Sequence, residues 1–394
     1  MRHKCPYRRL LTPIKRAVIV LVMTYLPLYS ASAQDRLRYT RLAELPALNG
    51  SLNPGVAGAF AGCSHGALLI AGGANFPNGF PWQGGTKVWH STVYVLSLEG
   101  NTYHWEFTHQ LAHPRAYGAS VVWRDQLICV GGNDDKHRFA DVFSLRWHPS
   151  DATLVEQSFP ALPMPMANLA AAVSGNNLYV FGGESDRGTE AGLYVLDLET
   201  PSRGWRKLAD LPGPPRAYTT MTVQANEDGP ALYVVGGRQT VNGRTTVYAD
   251  VYAYQINRQR WQRLPDIPQP LAAHQVIGIG TRSLFVLGGD DGNRLQQIEA
   301  LSNQVNQLPE GVDREKRRTE RNRLQIDHPG FVKTVWQFRT DTKTWSAVDS
   351  LPFPTPVTTP VVQWEQSLIL PSGEVTPGIR TPAIWKIDMD QSKY

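Results

Sequence analysis

Leu178-Tyr-Val-Phe-Gly-Gly183 is an apolar run that stops at a glycine pair. Four more runs have the same form: Leu68-Leu-Ile-Ala-Gly-Gly73, Leu127-Ile-Cys-Val-Gly-Gly132, Leu232-Tyr-Val-Val-Gly-Gly237 and Leu284-Phe-Val-Leu-Gly-Gly289. A sixth, Leu368-Ile-Leu-Pro-Ser-Gly373, has Ser in place of the first glycine. The first five pairs lie 51 to 59 residues apart and the last interval is 84. A fixed spacing of this size marks a structural repeat, and the long interval marks an insertion.

The flanks of the pairs repeat as well. Small and apolar residues precede each pair, as in Ala116-Tyr-Gly-Ala-Ser-Val-Val and Ala217-Tyr-Thr-Thr-Met. An alternating run follows, as in Thr92-Val-Tyr-Val-Leu96 and Asp250-Val-Tyr-Ala-Tyr254. Then come a turn and a Trp (Trp105, Trp205, Trp261, Trp345), and a Leu-Pro near residues 162, 211, 264 and 351. The second repeat has its Trp147 earlier. Each unit reads as four short antiparallel strands, a to d. A single four-stranded sheet cannot cover both of its faces, but several packed around an axis can. The expected fold is all-β, a six-bladed β-propeller over residues 34–394.

These glycine doublets with downstream Tyr and Trp resemble the Kelch repeat, over essentially all of residues 36–390. The sixth unit ends after three strands. Arg38-Tyr-Thr-Arg-Leu-Ala-Glu-Leu-Pro46 has the look of an orphan fourth strand. It is expected to complete the last blade and close the ring, leaving no open sheet edge at the seam.

Ahead of it, Arg2, Lys4, Arg8, Arg9, Lys15 and Arg16 precede an apolar stretch, Ala17 to Ser30, and a small-residue site at Ala31-Ser-Ala33. Residues 1–33 read as a cleaved secretory signal, with an uncleaved anchor as the alternative, and cleavage predicts a periplasmic or secreted protein. That segment carries six of the 39 basic residues and none of the 34 acidic ones, leaving 33 against 34. The basic balance of the full chain therefore gives no reason to expect nucleic-acid binding, and no membrane association is expected after cleavage. Cys63 and Cys129 sit in apolar runs and read as small buried hydrophobes, with a disulfide as the alternative.

The insertion spans about residues 290–331. Leu295, Ile298, Leu301, Val305 and Leu308 fall at helical spacing, and Asp313 to Arg323 is highly charged. A helical excursion in blade five is expected, either a solvated decoration or a lid over the central site.

Candidate chemistry gathers at the ring end where the loops after the glycine pairs emerge. Gly373-Glu-Val-Thr-Pro-Gly-Ile-Arg-Thr381 places Glu374 and Arg380 on either side of a Pro-Gly turn. They make either a surface ion pair or a pair at the channel mouth. Arg115 and Arg216 open strand a in two blades, in Pro-Arg-Ala-Tyr. They are expected to point to the axis and clamp a carboxylate, or else to cap backbone carbonyls. Asn75, His90, Asn133, Asn168 and Glu184 are further polar groups at that end. Phe80, Trp82 and Trp89 on the long loop Phe76–His90 either stack on a sugar or pack the loop down.

No His/Cys cluster has zinc spacing, and no P-loop or dinucleotide fingerprint occurs. The copper ligands of galactose oxidase have no evident counterpart. Thr340-Asp-Thr-Lys-Thr-Trp345 lacks the glycine and spacing of a sialidase turn.

Two stretches carry a closer resemblance. Gly55-Val-Ala-Gly-Ala-Phe-Ala-Gly62, with Ala71-Gly-Gly-Ala-Asn75 and Arg115-Ala-Tyr-Gly118, is similar to part of the bacterial N-acetylneuraminate epimerases, which are secreted Kelch mutarotases of sialic acid. The Glu374/Arg380 hairpin is similar to that family's glycine-glutamate, proline-glycine, arginine-threonine hairpin. The two stretches occur in the opposite order to that of better-known members, so the chain looks cyclically permuted. The resemblance implies a cofactor-free sugar mutarotase with Glu374 and Arg380 as the catalytic pair and a small sugar, sialic acid, as partner. On this view Asn75, His90, Arg115, Asn168 and Arg216 would bind substrate. A Kelch propeller that binds glycan or protein without catalysis, or a mutarotase of another sugar, remains the alternative.

Overall fold

Six four-stranded antiparallel sheets stand around one axis in the computed structural model, which describes residues 37–47, 50–100 and 102–389. The expected secretory signal lies outside the described residues. Blade 1 holds Phe60–Ser64, Ala67–Ala71, Thr92–Glu99 and Thr102–Gln110. Blades 2 to 5 repeat this pattern up to Ser350. Blade 6 takes Val362–Trp364, Ser367–Pro371 and Ala383–Asp388, and its fourth strand is Arg38–Glu44 from the other end of the chain. Arg38 pairs with Asp388 and Glu44 with Ala383, so the seam closes as expected.

The core lies between the blades. Among the described residues six apolar clusters occur, one at each blade boundary. Strand alternation explains them. In Ala67–Ala71, Leu68 and Ile70 enter the cluster shared with blade 6, while Ala67, Leu69 and Ala71 enter the one shared with blade 2. A strand covered on both faces must be apolar on both. The repeated Trp ties neighbours together: the indoles of Trp205, Trp261 and Trp345 donate to Pro160, Ala209 and Pro265 carbonyls of the preceding unit, at 2.8 to 3.0 Å.

Both glycines of each pair adopt left-handed φ, for example +70° and +94° at Gly72 and Gly73. A Cβ on the first would meet the next unit's carbonyl in four of the five pairs, that of Arg115 at Gly72 and that of Arg216 at Gly182 among them, and the Thr355 side chain at Gly288. Blade 6 has Ser372 there, also left-handed at φ +62°. Its hydroxyl accepts from Val56 N–H at 2.9 Å and donates to Thr381 O at 2.7 Å. The departure from glycine is thus a side chain that bonds where others would clash.

Nearer the axis, one left-handed residue per blade links to the next: Gly58, Tyr117, Asn168, Tyr218, Ala273 and Thr358. Each N–H donates to the carbonyl of the preceding one, Gly58 donates to Thr358, and the six bonds of 2.7 to 3.3 Å form a closed hoop. Strand a proper begins beyond it. The runs read as strand a from Ala116 and Ala217 therefore enter the sheet three residues later, at Ala119 and Thr220.

The insertion is a helical hairpin, α1 (Asn293–Gln307) and α2 (Val312–Ile326). The charged run Asp313 to Arg323 lies within α2, as the expected helical excursion requires. Asp313 and Glu315 in its first turn and Arg323 in its last suit the helix dipole, and Arg318–Glu315 and Arg323–Asp327 pair along its face. Glu299 anchors α1 to the blade 4 hairpin of Arg238–Val241 and Arg244–Val247 by accepting from Thr245 N–H at 2.9 Å and from its hydroxyl at 2.5 Å.

Candidate active site

The residue after each glycine pair bridges to the residue just before the hoop. These positions are Ala74, Asn133, Glu184, Arg238, Asp290 and Glu374. They form a crown above the hoop, and five of the six are polar. All five line a cavity of about 410 Å³, together with Phe76, Lys87, Trp89, Tyr117, Asn168 and Tyr218. Leu295 and Ile298 of α1, Gln325 of α2, and His328 and Phe331 beyond it complete the wall. The insertion therefore covers the site with its inner face and is not only a solvated decoration.

Glu374 and Arg380 are direct partners in a two-stranded hairpin, Glu374–Thr376 with Ile379–Arg380. Pro377-Gly378 makes the turn with Gly378 at φ +87°, the sign that favours glycine. The Pro81 ring would meet a Cβ there at 2.7 Å, so the blade 1 loop packs on the turn. Gly378 N–H donates to Glu374 Oε1 at 2.7 Å, and Arg380 Nη1 lies 3.2 Å from the same oxygen. Glu374 Oε2 has no hydrogen-bond partner among the described residues. The Arg380 side chain is 3% exposed, its guanidinium lies 4.8 Å from the Phe76 ring centroid, and its charge acts on the Tyr117 phenol. Burial pushes the Tyr117 phenol up to about 12, with Glu374 adding and Arg380 opposing, so it stays protonated at neutral pH. The reading of Glu374–Arg380 as a solvated surface pair does not hold.

Asn168 faces the cavity from the hoop and donates to Glu184 at 2.7 Å. Asn75 does not face it. Ala74 takes the crown position, so its neighbour points to the opposite side. There Asn75 Nδ2 donates to Gly55 O at 2.9 Å, and its Oδ1 meets His90 Nε2 at 2.8 Å. Asn75 and His90 brace the loop, and neither lines the cavity.

Arg115 and Arg216 also turn away from the axis, contrary to expectation. Arg115 bonds Asp141 at 2.9 Å with its guanidinium 4.2 Å from the Phe139 ring centroid. Arg216 is wholly buried, takes both Asp250 oxygens at 2.6 and 3.0 Å, and stacks 4.8 Å from the Tyr248 ring centroid. The hoop residue two positions on, Tyr117 or Tyr218, takes the axial place. These arginines hold strand a to strand c. Asp250→Ala leaves Arg216 buried without a counter-charge, and is expected to cost about 3–5 kcal/mol of stability, measured as a fall in denaturant midpoint.

Sequence reasoning missed Lys87, Arg238, Asp290 and His328. The signal for Arg238 and Asp290 was the crown position itself, directly after the glycine pair. Arg238 stacks 3.8 Å from the Tyr218 ring centroid and makes no salt bridge among the described residues. Burial raises the Asp290 pKa, with Asp291 and Glu374 adding and the Gly292 N–H and Arg238 opposing. Burial and Arg294 lower that of His328, whose Nδ1 accepts from Gly330 N–H at 3.1 Å. Among the described residues no group of three or more His, Cys, Asp or Glu is placed to hold a metal ion.

A family model described as N-acetylneuraminate epimerase matches residues 29–154 and 159–394. The chain belongs to the N-acetylneuraminate epimerase family. An N-acetylneuraminate epimerase of Salmonella arizonae is 26% identical over 245 residues, 60% of each chain. A Kelch domain-containing protein of Vibrio cholerae is 26% identical over 228 residues, 57% of this chain and 62% of its own. An N-acetylneuraminate epimerase of Salmonella typhi is 38% identical over 112 residues, 26% of this chain and 28% of its own. The chain thus spans about three-fifths or less of the length of these relatives. The solved structure of YjhT superposes with a TM-score of 0.58 at 16% identity, over 86% of this chain and 95% of that one, and shares the propeller fold.

Proposed function

We propose that the protein is a sugar mutarotase that interconverts the α and β anomers of N-acetylneuraminate by cofactor-free acid/base catalysis. The observation that carries this is the Glu374–Arg380 hairpin. It offers a carboxylate fixed through Oε1 by Gly378 N–H, with Oε2 unbonded, in a cavity with a buried guanidinium. Family membership supports the sugar.

Mutarotation opens the hemiketal ring and closes it on the other face. The anomeric hydroxyl gives up a proton as the ring C–O bond breaks, and the ring oxygen gains one. Both oxygens are bonded to one carbon, so a single carboxyl group can serve each in turn. In this reading Glu374 carries the proton, and Arg380 faces the sugar carboxylate and the charge that develops as the ring opens. Phe76, Trp89 and Tyr218 give apolar faces for the pyranose ring. With its expected secretory signal, the enzyme would act in the periplasm or outside the cell.

The test is an NMR time course of freshly released α-anomer with and without protein. Catalysed equilibration is the expected result. Binding without acceleration at any pH would leave a glycan-binding propeller instead, and a panel of other sugar anomers in the same assay defines the substrate range.

A further inference from the structure

Lys87 sits near the end of the long blade 1 loop, and its ammonium reaches the cavity. Nζ lies 5.1 Å from the Tyr117 ring centroid, 5.5 Å from that of Trp89 and 5.9 Å from that of Phe76. Arg380 shares the Phe76 ring, with its guanidinium 4.8 Å from that centroid, and its charge acts on both Lys87 and the Tyr117 phenol. The two cations are therefore neighbours on one aromatic wall. Among the described residues the carboxylate that acts on Lys87 is Glu374, and it is paired with Arg380. Lys87 makes no salt bridge among the described residues.

The charges facing Lys87 are Arg380 and Glu374, with the phenols of Tyr117 and Tyr218 nearby. Burial first, and then Arg380, hold the ammonium below its ordinary pKa, while Glu374 and Tyr218 act the other way. A half-buried cation beside a second cation is a place where a further negative charge is favourable.

We propose that Lys87 is a binding residue for the substrate carboxylate, forming with Arg380 a two-cation cradle that selects sugars bearing a carboxylate on the anomeric carbon. The inference rests on the mutarotase reading of Glu374. The carboxylate and both reacting oxygens are bonded to that same carbon. A sugar placed with these oxygens at Glu374 therefore presents its carboxylate to the cations flanking Glu374. Arg238 projects from the crown two blades from Glu374, where it stacks on Tyr218.

The test compares wild type, Lys87→Met and Lys87→Arg, by calorimetric titration and by the anomer time course. The ligands are N-acetylneuraminate and its neutral methyl ester. Removing one charge-assisted hydrogen bond weakens affinity by about 10- to 100-fold. Lys87→Met is expected to show that loss for the acid, in KM rather than kcat, and none for the ester. Lys87→Arg is expected to restore most of it. Only the protonated ammonium attracts the acid, so wild-type affinity falls as pH rises through the lowered lysine pKa, and the Lys87→Arg profile is flat there. Unchanged acid affinity in Lys87→Met, or an equal loss for acid and ester at an unchanged melting temperature, overturns the proposal. A wild type that binds the acid without speeding anomer exchange sinks the mutarotase reading alone, because the binding arms still judge Lys87. A wild type that binds no N-acetylneuraminate overturns both.

Discussion

Glu374→Gln removes catalysed anomer exchange, lowering it by about 10²- to 10⁴-fold, the contribution typical of a positioned acid/base group. The amide keeps an oxygen for the Gly378 N–H that now reaches Oε1 at 2.7 Å. The turn, and hence the hairpin, is expected to persist. What disappears is the proton-carrying carboxyl and the counter-charge of Arg380. The melting temperature therefore falls, because the Arg380 side chain is only 3% exposed and has lost its partner. Binding moves the other way. With Glu374 neutral, Lys87 and Arg380 face the ligand uncompensated, so N-acetylneuraminate binds at least as tightly as to wild type and raises the melting temperature more. Loss of turnover with binding retained separates proton transfer from anchoring. Full activity in Glu374→Gln removes this residue from the mechanism.

The second large effect is at the seam. A chain lacking residues 37–47 loses the outer strand of blade 6, and with it Leu37 and Leu45, which are 7% and 3% exposed. Leu45 belongs to the cluster between blades 6 and 1, and Leu37 to the one between blades 5 and 6. The two leucines alone account for about 3–6 kcal/mol of burial, against a total stability of about 5–15 kcal/mol for a typical domain. Strand Ala383–Asp388 would also become a bare edge that invites pairing with other chains. The truncated protein is expected to aggregate or to melt far below the intact one, without activity, since blade 6 carries Glu374 and Arg380. Leu45→Ala is the milder version, at about 2–5 kcal/mol. Thermal unfolding followed by light scattering and circular dichroism measures both. An unchanged melting point in the truncated chain would refute the role given to the seam.

The architecture was legible because its signals are local and recur in register. Glycine pairs, strand alternation and Leu-Pro each repeat with the blade, and the seam follows from a sixth unit with three strands. The crown was legible too, in principle. Glu374 was found through its turn, whereas Arg238 and Asp290 occupy the same register without one. Direction was not legible. Arg115 opens a strand at the right end of the ring, yet the left-handed residue two positions later turns the chain so that Tyr117 takes the axis. Asn75 is one residue past the crown and so faces the other way. Lys87 lies in a loop whose path depends on the packing of Pro81 and Trp82 against Gly378, a contact between blades 1 and 6 that no local pattern announces.

The hoop of six backbone hydrogen bonds has a consequence for how the molecule comes apart. Repeat proteins stacked in an open solenoid have two end units, which fray first and lend the array its gradual melting. A hoop has no end unit. Each blade is held by the bond it receives and the bond it gives, so displacing any one of them breaks two hoop bonds and uncovers two apolar boundaries. Partial loss thus exposes nearly as much as the first stage of complete loss, and the ring unfolds as a single cooperative unit. The floor beneath Glu374 is accordingly as stable as the whole protein.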